Sequence, residues 1–540
     1  MSLDVRLFTR AVLLLGLLSL GVIRIIDTYD VNTVAGDERN HISAGVEWLV
    51  KGSYTYEEQH PPLARVAAAL LPHLAGLTSF ELRGWELDGD TLLLQNGQPG
   101  RNLALARAGM LPFFLLACVI VFLWAKEIGG DIGGFSALFI FSFIPSVLAH
   151  AGIVSTDTAL CATTIASMYV FWCWLRNRSF PLAITLGLSV GLCVLSKFTA
   201  FLFLPAGFLA LWIGMFFSRH SVISISKQSK GLLVAQAAAA IVVMILVVWA
   251  GYRFSFEPIN IHIKETIMPL AISRKLASIP VPAPEVLRGL EFVVIGHAMK
   301  GHLAYLLGDV RMYGFWYFFP VALFFKTPLS VLALAGIGPL AGMIARSDDR
   351  FREVIGITLS FVAILAVVLP STINIGLRHV LPLFALMSII GGIGVTHLIM
   401  RIKNRLVGYS VTGILLGSLI ISSVSAHPQY IPYFNIFEKL VDDPILVDSD
   451  RDWGQSIGLL KEFVEENKIE SIHVTALSFQ ETDIENYKLK NFKYLDYYQQ
   501  PSGWVAASYW RVYADERYWW LQDYEPFTIL GDSMLVYKLP

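Results

Sequence analysis

The chain has little charge for its length. Only 15% of its 540 residues are Asp, Glu, Lys or Arg, while 55% are hydrophobic, and the mean hydropathy is +0.59. Soluble globular chains carry about 25% charged residues, so these values exclude an ordinary water-soluble domain and point to a membrane protein. An excess of one sign is missing too. The formal net charge of -1 excludes a broadly basic nucleic-acid binder and makes the placement of charges the informative quantity. Cysteine is scarce: Cys118, Cys161, Cys173 and Cys193 all lie in apolar runs, where they read as packing residues rather than a disulfide framework. No internal repeat or low-complexity segment is visible.

Long apolar runs, by contrast, are plentiful. Runs of roughly 17 to 25 residues, enough to span a bilayer, predict about eleven crossings, near 9-26, 107-125, 132-150, 158-175, 181-196, 199-217, 231-252, 318-345, 353-370, 380-400 and 406-425. The pair at 181-217 leaves a tight hairpin around Lys197. The first run has no small-residue cleavage site after it and reads as a helix rather than a signal peptide. Basic residues favour cytoplasmic loops. With the N-terminus inside, the inner loops carry Arg6 and Arg10, Lys126, Arg176 and Arg178, Arg219 with Lys227 and Lys230, Arg346 with Arg350 and Arg352, and Arg401 with Lys403 and Arg405.

Residues 1-426 then form a transmembrane domain with outer loops 27-106 and 253-317, and residues 427-540 an outer domain. In the first loop, Leu63 to Leu77 is apolar and helical but too short to cross, which suits the interface. The tail reads differently. "ESIHVTALSF", "GWVAASYWRVYA" and "FTILGDSMLVYKL" have strand character. "DWGQSIGLLKEFVEENK" reads as an amphipathic helix with Asp452 as N-cap and Gln455 three residues on. The fold expected is a polytopic α-helical membrane protein with a small α/β extracytoplasmic C-terminal domain.

Sorted by side, the polar residues converge on the outer face. Asp37 and Glu38 follow the first helix, Asp157 stands in "STDTAL", Lys197 at an outer turn, Lys326 in "FFKTPL", and Arg378 and His379 in "NIGLRHVLP". Each has a plain structural reading. Asp37 or Glu38 suits a solvated loop or a helix cap, and Asp157 a cap shared with Ser155 or Thr156. Lys197 and Arg378 suit snorkelling to headgroups. Pro61 and Pro62 after His60 suit a turn. Lys326 resists such a reading, because an ionisable residue in apolar surroundings costs a few kcal/mol unless partnered. The acidic run Asp448, Asp450, Asp452 lacks the glycine and glutamate of a calcium-binding EF-hand loop. Acids facing cations at membrane depth suit sugar transfer from a lipid phosphate. A carboxylate takes the proton of an acceptor hydroxyl, and Lys and Arg stabilise the departing phosphate.

The pair Asp37-Glu38 after the first helix, followed by His60-Pro61-Pro62-Leu63, resembles the start of the protein O-mannosyltransferases and the lipid A aminoarabinose transferases of the GT-C superfamily. "STDTAL", "VLSKFTAFLFLP", "YLLGDVRMYGFWYFFPVALFFKTPL", "NIGLRHVLPLF" and "DSDRDWGQS" resemble the bacterial phospholipid-carrier-dependent glycosyltransferases of that type. At His60 the sequence follows the mannosyltransferases, since the aminoarabinose transferases carry a lysine before the prolines. It has no segment resembling the MIR repeats of the eukaryotic enzymes.

The resemblance implies a GT-C fold in a bacterial plasma membrane and an inverting transfer from a polyprenyl-phosphate sugar donor to an extracytoplasmic acceptor on protein, lipid or glycan. It makes Asp37 the base, with Glu38 beside it, and Asp157 the second acid. It makes Lys197 and Arg378 ligands of the donor phosphate, with Lys326 and His60 as further candidates. His379, Tyr305, Trp316 and Tyr317 are candidates for substrate contacts, although aromatics also favour the membrane interface. Asp37, Glu38, Asp157, His60 and His379 offer hard ligands for a divalent metal, and metal dependence stays open. The competing classes are a lipid or sugar transporter or flippase, which predicts paired repeats and interrupted helices meeting at mid-membrane, and a membrane-anchored binding domain.

Overall fold

The structure, a computed structural model, describes residues 3-78, 81, 84-215, 229-260, 275, 277-294, 300-344 and 349-540. The basic loop residues Arg219, Lys227 and Arg346 lie outside the described residues.

Apolar sequence has become helix. Among the described residues six helices are long and apolar enough to cross a membrane, or seven if one bent pair counts as a single span. The six are Leu7-Ile26, Pro99-Phe143, Thr156-Arg176, Lys230-Gly251, Pro382-Arg401 and Arg405-Ser425. Shorter apolar helices at Phe180-Ser196, Ala200-Gly214 and Glu353-Val368 fall on three further expected crossings. The chain is a multi-pass integral membrane protein.

Three of the expected spans are built differently. The runs at 107-125 and 132-150 share the helix Leu111-Phe143, interrupted at Gly130, where φ +67 is a conformation that glycine adopts without a Cβ clash. The run at 318-345 is a bent pair of helices rather than one straight helix. Phe318-Lys326 and Leu329-Met343 meet at 111°, because Pro328 lacks an N–H and pushes Thr327 out of helical geometry, to φ -104 and ψ 132.

Pro382-Arg401 is the central helix, packed against Leu111-Phe143 and Leu329-Ile344 and buried along most of its length. Lipid offers helices little hydrophobic reason to associate, so close packing must hold them. A Cβ on Gly392 would sit 2.5 Å from the Gly133 carbonyl oxygen, so a side chain there would drive these two helices apart. Lys230-Gly251, whose only buried residue is Gln236, lies at the periphery.

Residues 27-106, expected outside, carry the helices Glu38-Val50, Pro62-Leu74, Trp85-Leu94 and Pro99-Ala108. Pro62 opens its helix at the first turn, where a missing N–H costs nothing. The tail carries the expected sheet, in the order Phe492-Tyr494, Ile472-Thr475, Gly503-Ser508, Met534-Leu539 and Thr528-Leu530. The first two pairings are parallel and the last two antiparallel.

Two tail readings need correction. "GWVAASYWRVYA" is a strand only to Ser508. Tyr509-Ala514 is a helical turn that buries Tyr509 and Val512 on one side. Asp452 is not a helix N-cap, because Gly454 at φ +84 breaks the chain and the helix Ile457-Glu466 starts after Ser456. Asp452 Oδ1 instead accepts from the Gly454 N–H at 3.0 Å.

Candidate active site

Four side chains from four distant segments meet at one end of the bundle. Ser155 caps the helix Thr156-Arg176, accepting the Asp157 N–H with its hydroxyl, so the Asp157 carboxylate is spared that task. It points instead at cations. Lys197 Nζ donates to Oδ1 at 2.6 Å and Arg378 Nη1 to Oδ2 at 3.3 Å. The Asp157 side chain has no solvent exposure, and those of Lys197 and Arg378 have less than 10%. These two cations therefore do not snorkel; they pair inside the protein.

Asp37 completes the group. It sits at the N-cap of the helix Glu38-Val50 but makes no side-chain cap bond, and its Oδ2 lies 3.8 Å from Arg378 Nη2. Its side chain is 44% exposed, the one carboxylate of this group that solvent or substrate reaches.

Two histidines border the cluster. Burial, with the Lys197 charge adding to it, lowers the His60 pKa to about 4. Tyr54 donates to its carbonyl at 2.6 Å, and Nδ1 shares a hydrogen bond with Glu57 at 3.1 Å. His379 is held well below the usual imidazole range by burial and by the Lys197 and Arg378 charges. Its Nε2 has no hydrogen-bond partner among the described residues. Behind His60, the fully buried Arg65 donates to His41 Nδ1 at 3.1 Å, to the Tyr54 hydroxyl at 3.0 Å and to the Glu57 carbonyl at 2.8 Å, and it pairs with Glu57.

Several expected site residues are placed elsewhere. Glu38 is not free for chemistry. It accepts from Arg107 at 2.9 and 2.8 Å, from the Val154 N–H at 2.9 Å and from the Ala35 N–H at 2.9 Å, with no exposure. Arg107 also holds the carbonyls of Asn32 and Thr33 at 2.8 Å, so this pair ties down the loop that carries Asp37. Lys326 turns from the cluster to the tail. Its Nζ donates to the carbonyls of Ile431 at 2.6 Å and Asp450 at 2.5 Å and lies 4.3 Å from the Phe434 ring centre, which is how it escapes the cost of isolation.

The three aromatics do not gather at the site either. Tyr305 is buried in the core that the tail sheet builds, with its ring 6.3 Å from Tyr513. Trp316 is 68% exposed, and Tyr317 packs on it and on Phe315. Nor do the five hard ligands form a metal centre. Among the described residues no group of three or more His, Cys, Asp or Glu side chains is placed to hold an ion.

The motif "DSDRDWGQS" contributes residues that its sequence did not single out. Ser449 Oγ accepts from Arg378 Nε at 3.2 Å, and the Arg378 guanidinium lies 4.3 Å from the Trp453 ring centre. Asp448 and Arg378 are near enough to interact electrostatically, and burial raises the Asp448 carboxyl to about 6. A cavity of about 590 Å³ lies not at the ion cluster but beside it. Val34 and Arg39, on either side of Asp37 in sequence, line it together with Phe479 and Tyr487 of the tail.

Residues 22-264 match the family model described as dolichyl-phosphate-mannose-protein mannosyltransferase. Among solved structures the chain is similar to the S. cerevisiae protein O-mannosyltransferase Pmt1-Pmt2 complex bound to the sugar donor, at 11% identity and a TM-score of 0.53, over 78% of this chain and 90% of that one. That likeness shows a shared fold. ArnT from Cupriavidus metallidurans bound to undecaprenyl phosphate is also similar, at 10% identity and a TM-score of 0.48 over 97% of each chain. The Archaeoglobus fulgidus oligosaccharyltransferase matches at 14% identity and a TM-score of 0.45, over 77% of this chain and 55% of that one. No curated protein matches the chain.

Proposed function

We propose that the chain is a membrane glycosyltransferase of the GT-C superfamily, of the O-mannosyltransferase and aminoarabinose-transferase type, a reading supported by the family match over residues 22-264 and the fold shared with Pmt1-Pmt2, and that it moves one sugar from a polyprenyl-phosphate carrier to an extracytoplasmic hydroxyl with inversion. Asp37 takes the proton from the acceptor hydroxyl as its oxygen attacks the anomeric carbon. The bond from that carbon to the phosphate oxygen breaks, and the electron pair leaves with the phosphate. Lys197 and Arg378 stabilise the departing anion, because fixed cations in a partly dry site need little reorganisation as charge develops. A single displacement inverts the anomeric centre.

Asp157 is a positioning residue here. It holds Lys197 and Arg378 side by side and offsets their mutual repulsion. His60 and His379, neutral at working pH, border the sugar site without adding positive charge.

One observation carries this reading: the half-exposed Asp37 carboxylate lies 3.8 Å from Arg378, whose other carboxylate partner, Asp157, is entirely buried. A base open to the acceptor thus stands beside cations suited to phosphate. The basic inner loops support an inside N-terminus, residues 1-426 as the transmembrane domain and residues 427-540 as a domain outside a bacterial plasma membrane. The acceptor is a hydroxyl of a protein, lipid or glycan there, and exposed apolar helix faces such as that of Lys230-Gly251 meet membrane lipid.

The test is release of radiolabelled sugar from a panel of polyprenyl-phosphate sugars by the purified protein in lipid vesicles, with membrane extract as acceptor. Consumption of one donor supports transfer and names the sugar. Binding of donors without consumption of any would overturn it in favour of transport.

A further inference from the structure

We propose that the tail segment Asp448-Trp453 is a positioning device for Arg378, and that Ser449 and Trp453 fix the direction in which its guanidinium meets the donor phosphate. This rests on the phosphate role given to Arg378 above. An arginine on a long side chain loses rotamer entropy when it is held in one geometry, and pre-organisation removes that cost from binding.

Three contacts supply the pre-organisation. Ser449 Oγ accepts from Arg378 Nε at 3.2 Å and donates to the Ile375 carbonyl, so its lone pair is aimed by a second hydrogen bond. The Trp453 ring faces the guanidinium 4.3 Å from its centre, an arrangement in which the ring quadrupole attracts the cation. Both oxygens of Asp450 accept from the Leu377 N–H, at 3.0 and 3.1 Å, which anchors the short helical turn that carries Arg378. Nε is thereby occupied, and Nη1 and Nη2 face Asp157 and Asp37.

The segment is itself held on both sides. Lys326 Nζ donates to the Asp450 carbonyl at 2.5 Å, and the Gly36 N–H donates to the Trp453 carbonyl at 2.8 Å. The second bond reaches the residue next to Asp37, so one short stretch of tail touches both the loop of the base and the cation. Gly376, at φ +148, leaves room for the arrangement, since a Cβ there would collide with the Ser449 hydroxyl. These contacts give the tail a part in the reaction, although Ser449 and Trp453 touch no reacting atom.

The experiment measures binding of radiolabelled undecaprenyl monophosphate to the full chain in lipid nanodiscs, for wild type, Ser449→Ala, Arg378→Lys and the double variant. Lysine has no Nε–H for Ser449 to receive, so a residue acting through Arg378 has nothing left to do in that background. Ser449→Ala is expected to raise Kd about tenfold, the range of one hydrogen bond to a charged group, and the double variant to bind no worse than Arg378→Lys. Trp453→Phe, which keeps a ring, is expected to stay within about threefold of wild type, and Trp453→Leu to fall below it. Multiplying losses in the double variant, or a Ser449→Ala Kd within twofold of wild type, would overturn the positioning role. If wild type fails to bind the monophosphate, or Arg378→Lys binds it as well as wild type, the phosphate role of Arg378 is wrong and this proposal falls with it. Should Ser449→Ala fail to fold, the Trp453 pair decides.

Discussion

Arg107 grips both oxygens of Glu38, Nε on Oε1 at 2.9 Å and Nη2 on Oε2 at 2.8 Å, and neither side chain reaches solvent. One residue earlier, Asp37 has no such partner and keeps 44% of its side chain exposed. Two adjacent carboxylates therefore divide the work: one fastens the loop, the other is left available.

Removing one member of a fully buried pair strands the other as an uncompensated charge, at about 3-5 kcal/mol. Arg107→Ala and Glu38→Gln are thus expected to lower the thermal midpoint of the detergent-solubilised protein clearly, while Asp37→Asn leaves it near wild type. A Glu38→Gln protein with wild-type stability and lost turnover would return Glu38 to the chemistry.

Lys326 invites the opposite comparison. Lys326→Ala leaves two buried carbonyls without donors, a loss of roughly 2-4 kcal/mol. The expected result is a lower midpoint with the donor KM of the folded fraction within twofold of wild type. A tenfold rise in donor KM at unchanged stability would make Lys326 a phosphate ligand after all.

These residues show how far the sequence could be read. A charge inside an apolar run has to be explained, so Asp157, Lys197, Arg378 and Lys326 stood out at once. The apolar runs marked the helices for the same reason, since only length and hydropathy were needed. What the runs could not show was pairing. Lys197 stands 40 residues from its partner Asp157, and Arg378 stands 221 from the same carboxylate. Lys326 looked like its neighbours in kind, yet it points to the tail. Arg65 and Arg107 escaped notice because each stands at the start of an apolar stretch, 63-77 and 107-125, where an arginine is unremarkable until its burial is seen. The hairpin Ala304-Leu306 with Asp309-Arg311 was equally silent: its turn places Leu307 at φ +52 and Gly308 at φ +88, and a leucine in that conformation gives no local warning. Asp452 was misread for a related reason, because the glycine two residues on decided where the helix begins.

Lys197→Ala should act on the donor alone. Loss of one charged contact to phosphate corresponds to a rise in donor KM of about tenfold or more, with acceptor KM unchanged. Steady-state kinetics in both substrates checks this, and an effect confined to the acceptor would remove Lys197 from the phosphate site.

Asp452 provides a pH test. Burial raises its carboxyl to about 7, opposed by hydrogen bonds from Ser508 and the Gly454 N–H. Since the unfolded value is about 3.9, between these pH values the folded protein holds a proton that the unfolded chain has released. Stability from this group therefore falls as pH rises from about 4 through 7 and levels off above. Asp452→Asn lacks that loss. Its stability advantage over wild type should widen by roughly 4 kcal/mol between pH 4 and pH 8. Thermal unfolding of both proteins at pH 5 and pH 8 decides it, and an advantage equal at the two pH values would contradict the buried, protonated carboxyl.

The most direct measurement compares wild type and Asp37→Asn with the donor that the panel identifies, recording donor Kd and turnover on the same nanodisc preparation. A base that acts only as the acceptor attacks predicts an unchanged Kd and a kcat lower by about 10²-10⁴-fold. An Asn variant that turns over at near the wild-type rate would contradict the central claim, because no exposed carboxylate would then be needed beside Arg378.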